Sequence, residues 1–103
     1  MEGADLHDAN LYWTDLRQAS LVGANLEGAD LSEANLAKAD LRTASLVEAN
    51  LEKADLSGAD LSGANLWKAN LHAANVEAAK WNETVMPDGK KKSPLTRLKK
   101  FAE

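Results

Sequence analysis

The residues in this sequence best suited to proton-transfer chemistry are its two histidines, His7 and His72. Histidine titrates near neutral pH and serves as a general acid, a general base or a metal ligand. Neither histidine has a partner in the sequence at the spacing of a metal-ligand pair or a catalytic relay. The sequence also lacks a Gly-rich phosphate loop and a nucleophile turn. Catalysis is therefore not expected, and no catalytic residue is assigned.

The composition excludes several further kinds of site and segment. The chain has no Cys, so disulfides and thiolate metal sites are absent. No apolar run approaches the roughly 18 residues of a membrane span, and residues 1–10 do not have the basic and then apolar segments of a secretory signal. The sequence predicts a cytoplasmic protein that binds no cofactor or metal and has no membrane partner.

A repeat of five residues occupies most of the chain. Leu stands at every fifth position from Leu6 to Leu71, and Val76, Trp81 and Met86 extend the series to 17 pentads. Ala precedes this central residue by two positions in 15 pentads, and Asp or Asn lies between them in 13. The unit is therefore Ala, a middle Asp or Asn, the central Leu, and two variable corner positions.

The period of five excludes a helix and a straight strand. Five residues advance about 500° around an α-helix, so the Leu residues would have no common face. In a continuous strand, successive pentads would point to opposite sides. The pattern stays one-sided only if the chain turns at each pair of corner positions, and Gly accepts the positive φ that some tight turns need. It stands there four times: Gly23, Gly28, Gly58 and Gly63.

Turns of about 90° would give coils of four pentads, stacked about 4.8 Å apart through backbone hydrogen bonds. The run resembles the pentapeptide-repeat family over residues 4–86. This resemblance implies an all-β solenoid, a right-handed quadrilateral parallel β-helix, and the pentad count predicts about four coils. The family spans many roles, so the resemblance predicts the fold without defining a function.

The interior of such a coil is filled by the central residues of the pentads. The predicted core consists of Leu6, Leu11, Leu16, Leu21, Leu26, Leu31, Leu36, Leu41, Leu46, Leu51, Leu56, Leu61, Leu66, Leu71, Val76, Trp81 and Met86. A rod filled in this way leaves no pocket for chemistry.

The composition changes near Pro87. Residues 1–86 carry 14 acidic and 6 basic side chains, a net charge of −8, whereas residues 87–103 have a net charge of +4. The chain therefore divides into a β-helix over 1–86 and a turn with a short C-terminal helix over 87–103. Ser93 and Pro94 are suited to the helix start, and Leu95, Leu98 and Phe101 form the face that would cap the last coil.

The basic residues of this segment have two interpretations. They are suited to contact with nucleic acid or a membrane, or they form the solvated face of the capping helix. The second interpretation is favoured because no aromatic residues alternate with the lysines, as single-stranded nucleic acid binding prefers. Nucleic acid is therefore not an expected partner.

Residues 20 apart are predicted to stack on adjacent coils. Glu33 then lies beside Lys53, and Glu48 beside Lys68, and neighbouring strands favour such opposite charges. These pairs support the 20-residue coil more than they explain stability, because exposed pairs contribute only about 0–1 kcal/mol.

One predicted column contains two carboxylates, those of Asp40 and Asp60, followed by Lys80. Two carboxylates at this spacing could hold a cation or share a proton. Hard cations need more oxygen ligands than two carboxylates supply. The acids are therefore interpreted as solvated surface residues near Arg42, and no metal site is assigned.

Aromatic residues at corner positions are the candidate contact residues. Tyr12 and Trp13 are adjacent in the second pentad, and Trp67 follows Val47 in one column. Large aromatics on an outer face often anchor protein contacts. The alternative is that these side chains fold down over their neighbours.

Three functions fit these observations. The preferred one is a structural or interaction module, a rigid non-catalytic rod that presents a surface to an unknown protein partner or to itself, including a homodimer through one rod end. The first alternative is a DNA mimic that inhibits or protects a type II topoisomerase such as gyrase, as the resemblance implies for some family members. The second alternative is an engineered or consensus scaffold.

Overall fold

A computed structural model describes residues 2–92 of the chain. The middle residue of each pentad forms a parallel bridge with the residue 20 positions later, from Asp5 with Asn25 through Asn65 with Val85. Each coil therefore contains four pentads and has four sides. The predicted capping helix, with Leu95, Leu98 and Phe101, lies outside the described residues.

The corners are β-turns with one recurring backbone conformation. At the corner after Leu6, for example, the N–H of Ala9 donates to the carbonyl of Leu6 at 3.0 Å. From Asp8 to Glu83 the second corner position has positive φ, as does the third residue of a type II turn. Twelve of these residues are not glycine, among them Trp13 with φ 63° and Thr43 with φ 58°. The turn geometry is thus imposed by the coil even where the side chain disfavours it.

The hydrogen bonds of one pentad explain why its middle residue is Asp or Asn. The N–H groups of Asn35, Leu36 and Lys38 donate to carbonyls on neighbouring coils, and that of Ala39 donates across the corner to Leu36. The remaining backbone donor is the N–H of Ala37, which the side-chain Oδ1 of Asn35 accepts at 3.1 Å. The middle side chain therefore satisfies the one N–H that the backbone ladder leaves unpaired.

This side-chain bond occurs at all thirteen Asp or Asn middle positions. Val85 is the apolar exception, and the residue two positions later is Pro87, which has no N–H to satisfy. The repeat pattern in the sequence shows only that the middle position is usually Asp or Asn. Its role as an internal hydrogen-bond acceptor emerges from the structure.

The core is a single column of Leu and Ala. The central residues from Leu21 to Leu66 are fully buried, and Trp81 and Met86 continue the column inside the last coil. Leu6, Leu11 and Leu16 of the first coil were predicted to be core and are only half-buried, because no described coil lies beneath them.

Two residues of the last coil, Thr84 and Trp81, depart from the repeat pattern and bring buried polar atoms into the core. Thr84 replaces an inward Ala, and its buried Oγ1 donates to the carbonyl of Leu61 at 2.6 Å. Trp81 fills the place of a central Leu, but its buried Nε1 has no hydrogen-bond partner among the described residues.

The ladder ends in a short antiparallel hairpin. Strand β1, Thr84–Val85, pairs with strand β2, Lys91–Lys92. The N–H of Gly89, with φ 86°, donates to the carbonyl of Met86 in the turn between them. The described molecule measures 31 × 23 × 23 Å.

Within residues 2–92, the structure has no helix of the length and apolarity needed to cross a membrane.

Candidate interaction surface

His7 has a carboxylate partner that the sequence interpretation did not anticipate. Its Nδ1 lies 2.8 Å from Oδ1 of Asp5, two positions earlier in the chain. The hydrogen bond to Asp5 raises the pKa of His7 above its ordinary value of 6.5, and the charges of Asp5, Asp8 and Glu27 add to this effect. Both partners are exposed. The pair therefore holds a proton at the surface, with no enclosed site around it.

Charge pairing runs along the chain between a middle residue and the first corner residue. Arg17 donates from Nε and Nη2 to the two oxygens of Asp15 at 2.9 and 2.8 Å. These bonds lower the pKa of Asp15 from 3.8 to about 2. Arg42 holds Asp40 in the same way. An Asp followed two positions later by Arg is the sequence signal that could have predicted both clamps.

The predicted ion pairs between coils are not formed. Glu33 with Lys53, and Glu48 with Lys68, occupy common columns as expected. Within residues 2–92, however, the ion pairs are those of Asp5, Asp15 and Asp40 with their neighbours and that of Glu83 with Lys91. Exposed charged chains gain little by ordering themselves against each other, since water screens the attraction.

The column of Asp40, Asp60 and Lys80 is present, since each forms a parallel bridge with the next. The Arg42 clamp lowers the pKa of Asp40 through the hydrogen bonds to its carboxylate. The described part of the chain contains no group of His, Asp and Glu side chains arranged to hold a metal ion. The column thus places two stacked carboxylates and one lysine on the same side of the coil.

Tyr12 and Trp13 form an exposed aromatic pair on the corner of the first coil. Their ring centroids lie 6.1 Å apart in an edge-to-face arrangement, and the exposed fractions are 51% and 66%. Trp13 also has positive φ, which costs energy for a bulky residue. Neither ring is folded down over the coil far enough to be hidden.

Trp67 lies on a different corner in the fourth coil. It is 45% exposed, and the Nζ of Lys68 stands 4.5 Å from its ring centroid. Gly89 lies beside the indole, since a Cβ there would be in ordinary van der Waals contact with Cδ1 of Trp67, at 3.6 Å. The half-buried Val47 precedes it in the column. The structure thus places the aromatics in two separate patches.

The concave features are open grooves on the exterior. One, of about 570 Å³, is lined by Asp15, Arg17, Gln18, Ala37 and Lys38. Within this groove, Asp15 and Arg17 already bond to each other. The fully buried Leu column occupies the interior, so these grooves do not lead into the rod.

The structure defines a β-helical rod with a solid core and a varied exterior. The pentapeptide-repeat family profile matches eight copies over residues 1–23, 9–46 and 44–80. The chain therefore belongs to the pentapeptide-repeat family, whose structures are right-handed β-helices. The match indicates no catalytic family.

Similar solved structures come from cyanobacteria and a plant. A pentapeptide-repeat protein from Nostoc Pcc 7120 has 38% identity and a TM-score of 0.82, with 95% of this chain and 81% of that chain covered. One from Cyanothece 51142 has 39% identity and a TM-score of 0.67, covering 84% and 63%. This chain thus spans less than two thirds of the Cyanothece protein.

A third similar structure is a pentapeptide-repeat protein of the Arabidopsis thaliana thylakoid lumen, with 31% identity and a TM-score of 0.70, covering 88% and 67%. A search of curated proteins finds no match.

Proposed function

We propose that this protein is a rigid, non-catalytic interaction module that presents its exterior to a protein partner, including a second copy of itself. The observation that carries the proposal is the exposure of Tyr12, Trp13 and Trp67 on a rod whose other large apolar side chains, within residues 2–92, are buried or half-buried. Rigid aromatic side chains supply large contact areas at low entropic cost and dominate interface energetics. The filled core and the open grooves favour surface recognition over catalysis.

Replacing the aromatics tests this function directly. The Tyr12→Ala/Trp13→Ala double variant and the Trp67→Ala variant would be compared with wild type as baits in an affinity pull-down and as analytes in sedimentation. Glu52→Ala, a half-buried corner substitution that removes no aromatic ring, is the control, and circular dichroism verifies the fold of each.

If the protein is an interaction module, it should associate specifically with a second copy or with a captured protein. This association should be lost in at least one aromatic variant and kept in Glu52→Ala. Association that is equal in all four proteins would contradict the proposal. A chain that associates with nothing would instead favour the scaffold alternative.

The second candidate, DNA mimicry, is favoured by the net charge of −8 on residues 1–86. Duplex DNA carries one charge per about 1.7 Å of axis. A ladder of four coil steps is about 19 Å long, so about eleven charges would be needed to match it. Arg17 and Arg42 also bind two of the carboxylates. The rod therefore has a lower charge density than duplex DNA, and we favour the interaction module over DNA mimicry.

A gyrase supercoiling assay with purified protein separates the two functions. A DNA mimic inhibits supercoiling at micromolar concentration, and the inhibition weakens when salt is raised. Absence of inhibition at that concentration removes the second candidate and leaves the first unaffected.

A further inference from the structure

Asp88 is the one aspartate in the sequence that a glycine follows, and no asparagine is followed by glycine. The six aspartates at middle positions precede a central Leu, and Asp8 precedes Ala9. The backbone nitrogen after an aspartate can attack the side-chain carboxyl and close a five-membered succinimide ring. A side chain on the attacking residue hinders this approach, whereas Gly89 has no Cβ. The sequence therefore offers the least steric resistance to this reaction at Asp88.

The side chain of Asp88 is folded towards the nitrogen that would attack it. Its Oδ1 accepts the N–H of Lys90 at 2.9 Å, a bond of the Asx-turn type. The ring that this hydrogen bond closes includes the backbone nitrogen of Gly89. The carboxyl therefore stays close to this nitrogen instead of extending into solvent.

The middle aspartates make the same side-chain bond, but the ladder holds the nitrogens that would attack them. Oδ1 of Asp30 accepts the N–H of Ser32 at 3.0 Å, and the nitrogen between them belongs to the fully buried Leu31. The N–H of Leu31 donates to the carbonyl of Asn50 on the next coil at 2.7 Å. The same two bonds occur at the other five middle aspartates. Reaction at these positions therefore requires two coils to separate.

The bonds around Gly89 belong to one exposed hairpin. The N–H of Gly89 donates to the carbonyl of Met86 at 2.8 Å within the turn, and Asp88, Gly89 and Lys90 are all exposed. Exposed turns open by local fluctuation at a smaller free-energy cost than a packed core. Opening this one turn frees Gly89 for reaction while the coils stay stacked.

Asp8 provides an internal comparison. The N–H of Ala9 also donates within a turn, to the carbonyl of Leu6 at 3.0 Å. Ala9 nevertheless has a Cβ, and its carbonyl accepts the N–H of Asp30 on the second coil at 2.9 Å. Asp8 is therefore expected to react more slowly than Asp88 and faster than the middle aspartates.

The reaction balances with water as its only co-reactant. The nitrogen of Gly89 forms a bond to Cγ of Asp88, and the hydroxyl of the protonated carboxyl leaves as water with the amide proton. Hydrolysis of the succinimide then returns one water. Cleavage of the bond between the nitrogen and Cγ restores aspartate. Cleavage of the bond between the nitrogen and the backbone carbonyl carbon gives isoaspartate, in which the chain runs through Cβ and Cγ and the former backbone carbonyl becomes a free carboxylate.

We propose that Asp88–Gly89 is a site of spontaneous isoaspartate formation in the folded protein, and that isomerisation there releases strand β2 from strand β1. Isoaspartate adds one backbone atom between Met86 and Lys90. The hairpin is closed by the N–H of Met86, which donates to the carbonyl of Lys90 at 2.7 Å. The added atom shifts β2 out of its register with β1. This inference does not depend on the proposed function.

Incubation of the full chain at about 37 °C and neutral pH for several weeks tests the site. Isoaspartate is quantified by enzymatic methylation of its free carboxylate and located by mass-spectrometric fragmentation. Residue 88 is expected to accumulate isoaspartate at least about tenfold faster than any middle aspartate, because only a local opening is needed there. Asp88→Glu keeps the charge but would need a six-membered ring, so methylation of this variant should fall to the level of the remaining aspartates.

The same incubation in guanidinium chloride separates the effect of sequence from that of structure. Unfolding removes the ladder, so the middle aspartates should react faster there than in the folded protein. Asp88 should react under both conditions. A folded protein in which Asp88 isomerises no faster than the middle aspartates overturns the proposal, and so does reaction of Asp88 in the unfolded chain alone.

Amide hydrogen exchange of the isoaspartate form, separated by chromatography, tests the effect on the hairpin. The amide of Met86 is expected to exchange faster than in the unmodified protein, whereas the amide of Leu51, in the stacked ladder, keeps its rate. Unchanged exchange at Met86 overturns the release of β2. Faster exchange at Leu51 as well would show that the modification unfolds the rod and would overturn a local effect.

Discussion

At the residue scale, the middle position of the pentad does more than face water. Its Asp or Asn accepts the N–H of the first corner residue, the one backbone donor that neither the ladder nor the turn satisfies. Buried or half-buried polar groups without a partner are costly, whereas a formed bond contributes about 1 kcal/mol. Each pentad therefore satisfies its own backbone, because the side chain of its middle residue accepts the N–H of its first corner residue.

The substitution Asn35→Ala tests this role. It leaves the half-buried N–H of Ala37 without its acceptor, so the free energy of unfolding should fall by about 1 kcal/mol. Asn35→Asp keeps an acceptor oxygen and should retain most of the stability. Asn82→Ala, at an exposed corner, is the control and should change stability by less than about 0.5 kcal/mol. Urea unfolding monitored by circular dichroism measures all three, and equal losses at both positions would refute the role.

The pair of His7 and Asp5 predicts a pH effect at the same scale. The pKa of His7 is raised, so its contribution to stability is complete below its unfolded pKa of about 6.5. That contribution is lost as pH rises through the folded pKa. NMR titration of the imidazole should give a midpoint above 6.5 that falls towards this value in Asp5→Asn. Asp55→Asn, on the opposite side, should leave the midpoint where it is; a midpoint that ignores Asp5→Asn would show that the hydrogen bond has no effect.

At the element scale, each corner forces its second residue into the left-handed region. Glycine adopts this conformation freely, whereas other residues lose about 1–2 kcal/mol there. Only some corners have glycine, so the coil tolerates the cost at Trp13, Thr43 and ten other positions. Stacking, not local preference, holds the turns.

Glu33, at φ 57°, offers a test of this cost. Glu33→Gly should stabilise the protein by about 0.5–1 kcal/mol after the loss of chain entropy is counted, and Glu33→Ala should be nearly neutral. Gly63→Ala is the reverse change and should destabilise, since its Cβ would also stand 3.3 Å from Cγ2 of Thr43. Thermal unfolding measures the three, and a Glu33→Gly protein less stable than Glu33→Ala would exclude the explanation.

At the scale of the whole molecule, stability is distributed along a one-dimensional stack. Each coil contacts only its neighbours, so an end coil gains half of the contacts that an internal coil gains. The half-burial of Leu6, Leu11 and Leu16 beside the fully buried Leu column is the direct result. The first coil is therefore the least stable part of the described rod.

Replacing Leu by Ala in the first coil and in an internal coil measures this difference in stability along the rod. Leu51→Ala, at a fully buried position, should cost about 2–5 kcal/mol. Leu11→Ala lies in the same column on the first coil and should cost clearly less. Urea unfolding is performed at a concentration where light scattering shows monomers, so that dimerisation does not stabilise the first coil. Equal costs at the two heights would mean that the rod does not have the predicted end effect.

The sequence by itself determined the architecture. A one-sided period of five allows no helix or straight strand, so the inward Leu column and the corners follow from geometry. The four-sided, 20-residue coil was predicted from the resemblance to the pentapeptide-repeat family. The inward place of Trp81 and the outward places of Tyr12, Trp13 and Trp67 follow from their positions in the pentad. These features depend only on repetition along the chain, which is visible in one dimension.

Only the tertiary structure decided which polar groups meet. Asp and Asn bond to the backbone, Asp5 bonds to His7, and the cross-coil ion pairs of Glu33 and Glu48 remain unformed, because these outcomes depend on side-chain direction and distances of a few ångströms. The difference in burial between the first-coil leucines and the Leu column above them is likewise a property of three-dimensional stacking. A periodic sequence defines which side chains face the axis. Which polar groups form hydrogen bonds, and which charges are left to water, depends on the positions of the stacked coils.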